Sequence, residues 1–177
     1  AGNYTECENY WKKCLKIRKK LYGNKHIKVS GSYANLGGIY VYKGDHYNSV
    51  KYSKNALAIR KDLLEENDPR IASSLMNLGS AYLELGNLEL ALECYKQSFD
   101  IKRKNFPPLH SSMARIYNNL GVTYQRLGEF ERAFVNYNNA LLIRKKTLGE
   151  EHPQTADTYA NIGTVYNTKG EYNKALE

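Results

Sequence analysis

Four glycines set this sequence in order: Gly37, Gly79, Gly121 and Gly163 stand 42 residues apart. Tyr40, Tyr82, Tyr124 and Tyr166 keep the same step, as do Gly2, Gly44, Gly86, Gly128 and Gly170, and the isoleucines 17, 59, 101 and 143. No insertion or deletion interrupts the register, so the 177 residues are about 4.2 copies of one unit. A period of this size means that each unit buries its apolar face against its neighbours, and the chain folds as a stack of like elements.

Within a unit the apolar positions recur at three and four. In the third full copy Ala114, Tyr117, Leu120, Gly121 and Tyr124 lie on one helical face. Gly128 interrupts the pattern, and Phe130, Ala133, Tyr137, Ala140 and Ile143 form a second face. Each unit is expected to hold a helix A of about 15 residues, a glycine turn and a helix B of about 18–20. Asp68-Pro69 and His152-Pro153 read as helix starts, because a capping side chain accepts a free N–H there and proline has none to leave unpaired. Glycine inside a helix costs about 1 kcal/mol relative to alanine. Its return in the middle of every helix A therefore points to close approach of helix B, with Ser49, Ala91, Ala133 and Ala175 as the expected small complement.

The run Tyr117-x-x-Leu120-Gly121-x-x-Tyr124, then Gly128, Phe130, Ala133, Tyr137 and Ala140, resembles the tetratricopeptide repeat pattern. The period is 42 rather than 34, and the segment ALLIRKKTLGEEHPQTADTYANIGTVYNTKGEYNKALE is similar to the subtype found in kinesin light chains. There are departures: the chain reads NLG where kinesin light chains usually read NLA, it has no coiled-coil heptads, and the His-Pro pair is intact only at His152-Pro153. The resemblance implies an all-α fold, a right-handed α-α superhelix (solenoid) of tetratricopeptide repeats that binds proteins. Its divisions are 1–25 (helix B of a truncated repeat), full repeats at 26–67, 68–109 and 110–151, and a truncated repeat at 152–177, in one continuous solenoid domain.

The candidate binding residues follow from the same register. Asn35, Asn77, Asn119 and Asn161 sit two positions after Tyr33, Leu75, Tyr117 and Tyr159, about 200° round the helix from that core face. They are expected to line the inner, helix-A wall. An amide offers both a donor and an acceptor, so the ladder can hold the backbone of an extended peptide, and in families resembling this one matching asparagines contact bound peptide. The alternative is that each asparagine bonds a neighbouring helix and fixes repeat geometry. Met76, Leu83, Arg115, Asn118, Val122 and Arg126 complete the expected groove. They suggest a ligand with an apolar part and an acidic part, of the broad kind that kinesin light chain grooves favour.

Other chemistries find little support. His26, His110 and His152 share one column with Asp68. Packed helices lie about 8–10 Å apart whereas zinc draws its ligands within about 2.0–2.3 Å, so these positions cannot close one site and are expected to cap helices or lie on the surface. No metal and no cofactor are expected. There is no P-loop, G-x-G-x-x-G, H-E-x-x-H or G-x-S-x-G, and the chain is expected not to be an enzyme. Three cysteines without a C-x-x-C suit an intracellular, cytoplasmic setting, and Cys7 and Cys14 are read as packing. The net charge of +8 gathers at helix B ends, at Lys16 to Lys20, Arg60-Lys61, Lys102 to Lys104 and Arg144 to Lys146, where the helix dipole favours cations. Seven basic and two acidic residues fall within 1–25. A nucleic-acid surface would expose aromatics between its cations, whereas the in-column tyrosines are expected to be buried.

The reading is a non-enzymatic scaffold that binds an extended peptide or a partner helix in its concave groove. The alternatives are an architectural segment that sets spacing in a larger assembly, or a basic adaptor for RNA or anionic membrane. A helix B without its A at one end, and a helix A with only the start of its B at the other, further suggest an excised fragment able to stack head to tail.

Overall fold

The period becomes a run of paired helices. A computed structural model of the chain describes residues 2–171. The described helices are α1 (Gly2–Tyr22), α2 (Ile27–Tyr42), α3 (His46–Leu63), α4 (Pro69–Glu84), α5 (Leu88–Asn105), α6 (Ser111–Arg126), α7 (Phe130–Leu148) and α8 (Pro153–Thr168). Even-numbered helices are the A helices and odd-numbered ones the B helices. No strand occurs among the described residues, and the fold is an all-α helical repeat of the solenoid class. None of the described helices is long and apolar enough to cross a membrane. The chain divides into two compact units, Ala1–Lys104 and Asn105–Glu177.

Local chemistry sets the helix ends. The residue before each of α2, α4, α6 and α8 is an N-cap. Asp68 accepts from the Arg70 N–H at 2.8 Å, and His26, His110 and His152 accept through Nδ1 from the residue two further on, each at 3.2 Å. The histidines are caps, as their column suggested. Helix A closes each time on a glycine with positive φ, +74° at Gly44 and +77° at Gly128. The N–H of the next residue then bonds back to the tyrosine carbonyl: Asp45 to Tyr40 at 3.0 Å, Asn87 to Tyr82 at 2.9 Å, Glu129 to Tyr124 at 2.9 Å. This is the Schellman arrangement, and a side chain at the glycine would strain it.

The mid-helix glycines have a different reason. A Cβ at Gly79 would lie 2.7 Å from the Tyr95 ring, and one at Gly121 would lie 2.6 Å from two ring atoms of Tyr137. Both tyrosines are wholly buried. Their hydroxyls reach back to helix A, donating to Ser80 Oγ at 3.2 Å and to Gln125 Oε1 at 2.7 Å. The expected small complement is thus only part of the contact. Ala91 and Ala133 are buried, but what glycine accommodates is an aromatic ring one turn further along helix B. Ala175 lies outside the described residues. In the first full copy Ser53 stands at the ring position, and the aromatic moves back by one residue, Tyr52 stacking on Tyr40 at 5.3 Å.

A second set of contacts joins α1 to α2, α3 to α4 and α7 to α8. Arg60, buried near the end of α3, donates through Nη1 to the Arg70 carbonyl at 2.6 Å and the Ser74 hydroxyl at 2.8 Å. Arg18 does the same to Lys28 O and Ser32 Oγ at 3.1 and 3.0 Å, and Arg144 to Gln154 O and Thr158 Oγ1 at 2.7 and 2.5 Å. Burial pushes the guanidinium pKa of Arg60 and Arg144 down. Within the basic clusters at the helix B ends, Arg60 and Arg144 are thus buried pins and Arg18 a half-buried one, a role that the helix dipole alone does not account for. The remaining copy carries Lys102, and Ile116 in place of the hydroxyl, so the two columns change together.

Glu8 is a local exception to the apolar pattern. Its counterparts are Val50, Leu92 and Phe134, and Phe134 packs on Tyr166 with ring centroids 4.4 Å apart. Glu8 instead accepts from Lys12 at 2.6 Å, from Lys43, and from the Tyr40 hydroxyl at 2.7 Å. Lys12 first, then Lys43 and Tyr40, hold its carboxyl down at about 2, while burial and Glu8 raise the Tyr40 phenol to about 12.

Two outcomes follow. Gly121→Ala should lower unfolding stability by about 1–3 kcal/mol in urea denaturation despite alanine's better helix propensity, because the added methyl collides with a fixed ring. Gly38→Ala, where nothing lies within 4 Å of the new methyl, should raise it by up to about 1 kcal/mol. The Glu8 carboxyl is depressed in the folded state. Its contribution is therefore complete above the ordinary carboxylate range and is lost as pH falls toward about 2. Glu8→Gln should accordingly flatten the acid limb of a stability-versus-pH curve.

Candidate functional site

The four asparagines of the ladder occupy different settings. Asn35 is exposed, and Asn77, Asn119 and Asn161 are half-buried. Asn77 Nδ2 donates to the Ala34 carbonyl of α2 at 3.5 Å. Asn161 Nδ2 donates to Asn118 Oδ1 of α6 at 3.2 Å, and the same oxygen accepts from Arg144 Nη1 at 3.3 Å. Two rungs therefore tie successive A helices together, which is the structural use of an amide at this position. Asn118 is part of that tie.

Around α6 and α8 the expected groove residues come together. Val122, Arg126 and Asn161 line one cleft of about 310 Å³ with Gln125 and Thr168, over Phe130 and the fully buried Tyr137. Burial drives the Tyr137 phenol well above its ordinary pKa, and the neighbouring Arg126 opposes that rise. Arg115 is exposed and does not line this cleft. Met76 and Leu83 were expected on the groove and lie in the core, 2% and 6% exposed. In α4 almost every position from Ile71 to Leu83 is covered, Met76 and Leu83 among them.

Gln125 and Thr168 hold inward positions in the same repeat register, and Gln125 accepts from the tyrosine over Gly121. Among the described residues no group of three or more His, Cys, Asp or Glu could hold a metal ion. Cys94 is buried, which raises its thiol to about 11 and makes it inert, and Cys14 is half-buried beside Ser32. Cys7 is exposed and does not pack in the core as its column suggested.

This repeat geometry can be set beside known proteins. The sequence model of the tetratricopeptide repeat family matches residues 28–104 and 112–177, and a second model of the same description matches residues 1–28. The chain belongs to the tetratricopeptide repeat family. Among curated proteins no sequence match was found. Solved structures similar to it include a Podosopora anserina protein with nearly identical TPR-like repeats. That chain is 23% identical at a TM-score of 0.82, with 99% of this chain and 82% of that one covered. BtubC (BKLC) from P. vanneervenii is 25% identical at 0.85, covering 99% and 70%. A Rap protein complexed with competence and sporulation factor is 18% identical at 0.77, covering 99% and 46%. This tetratricopeptide repeat protein, with its 42-residue, kinesin-light-chain-like unit, is a protein-interaction repeat scaffold.

If the amide ties hold the A helices in place, Asn161→Ala should cost about 1 kcal/mol in urea denaturation, the worth of one hydrogen bond, Asn118 Oδ1 keeping its bond from Arg144. Asn35→Ala, at an exposed rung, should leave stability unchanged.

Proposed function

We propose that the chain is a non-enzymatic scaffold, working inside the cell, that captures an extended peptide or partner helix along its A helices. The cleft of the second unit is the anchoring point. The observation that carries this reading is the convergence of Val122, Arg126 and Asn161 on one concavity with an apolar floor. A cation beside apolar surface suits a ligand that places an acidic residue next to an apolar one, since a charge-assisted hydrogen bond fixes orientation while the apolar contact supplies affinity. A fold of the same kind holds competence and sporulation factor in the Rap complex, which supports a ligand-holding role for this architecture.

An architectural role is the second reading, and the hydrogen bonds of Asn77 and Asn161 favour it. Arg126 separates the two. Peptides selected from a displayed library against the whole chain should be enriched in acidic residues next to apolar ones. Arg126→Ala should then weaken a selected peptide about 10–100-fold without shifting the melting temperature. Selection that yields no binders, or binders indifferent to Arg126→Ala, would leave the architectural role as the better account.

A further inference from the structure

One column of the repeat departs from its own pattern in α4. Tyr33, Tyr117 and Tyr159 carry a phenol where Leu75 carries an isobutyl group. In α8 that phenol is held by charged neighbours: the Tyr159 hydroxyl accepts from Lys145 Nζ at 3.3 Å and donates to Glu150 Oε1 at 3.0 Å. In α2 the lysine equivalent to Lys145 is Lys19, whose ammonium lies 5.2 Å from the Tyr33 ring centre. Ahead of α4 the chain keeps both polar partners of the missing ring, as Lys61 and Glu66. Between them a cleft of about 620 Å³ opens beside Ile71, Leu75 and Ile101.

We propose that this cleft receives a tyrosine side chain from a partner protein. The ring lies against Ile71, Leu75 and Ile101, and its hydroxyl sits between Lys61 and Glu66. The chain supplies the template, because the same pair of columns already holds a phenol in α8. Charge argues for a neutral ligand: the rim mixes Lys61, Arg103 and Lys104 with Glu66 and Asp100, so neither a carboxylate nor a phosphate meets a field of one sign. The volume exceeds one ring and leaves room for the backbone on either side. An aromatic seated in a pocket and bonded at its tip is the usual anchor of a protein interface. The site shares no residue with the cleft around Arg126 and stands independently of it.

The test is a methyl-detected NMR titration of the whole chain with acetyl-Gly-Tyr-Gly-amide and its Phe and Leu counterparts at millimolar concentration. The tyrosine peptide should shift the Ile71, Leu75 and Ile101 methyls saturably. The phenylalanine peptide should bind about fivefold more weakly, the worth of the hydroxyl's hydrogen bond, and the leucine peptide more weakly again. Leu75→Tyr should fill the cleft and abolish the shifts at Ile71 and Ile101. Should that variant not fold, Lys61→Ala with Glu66→Ala should erase the preference for Tyr over Phe. Absence of saturable shifts at these methyls, equal binding of the three peptides, or a Tyr preference that survives the double substitution would each overturn the proposal. A peptide that moved only the methyl of Val122 would report on the other cleft.

Discussion

A helix that carries glycine at its centre presents a flat spot, and an aromatic ring laid on that spot is the contact the rest of the structure depends on. Tyr95 over Gly79 and Tyr137 over Gly121 bring helix B closer to helix A than any side chain on the A helix would permit. Each ring is fully buried and its hydroxyl is satisfied by a residue of the same A helix, so the contact sets both distance and rotation. The glycine costs its own helix about 1 kcal/mol, offset by burial of a large aromatic side chain.

Polar groups then join one pair to the next. The arginines at 18, 60 and 144 each cross to the following helix A, ten residues on to a carbonyl and fourteen on to a hydroxyl. The asparagines at 77 and 161 tie A helix to A helix. Dispersion and apolar burial alone would let helices slide, whereas a guanidinium bonded to a carbonyl and a hydroxyl of the next helix fixes their register. Both devices cost binding surface, since an amide or arginine engaged in the scaffold has less to offer a ligand.

Columns that differ between copies meet different fates. Where the repeat is kept, its residues are spent on packing, as at Gly79, Gly121, Tyr82 and Tyr124, while Met76 and Leu83, in columns that vary between copies, are core as well. Where it departs, a cleft can open, as beside Arg126 and Val122 or over the covered Leu75 in a tyrosine column. The sequence displayed all of these departures, but the helical wheel could not rank them. A position about 200° from the core face of a lone helix is exposed; the same position in a stack has a second neighbour on that side.

By itself the sequence determined the repeat, its 42-residue register, the helix starts and the glycine turns, because those depend on local rules: a capping side chain, a positive φ, a spacing of three and four. It also determined that the mid-helix glycines mark a close approach. Only the tertiary structure decided what approaches them, which basic residue of each cluster turns inward, and which asparagines are tied up. The physical reason is common to all three. A glycine, an arginine or an amide takes its role from the partner that a different helix brings within bonding distance, and that partner lies ten to forty-three residues away along the chain.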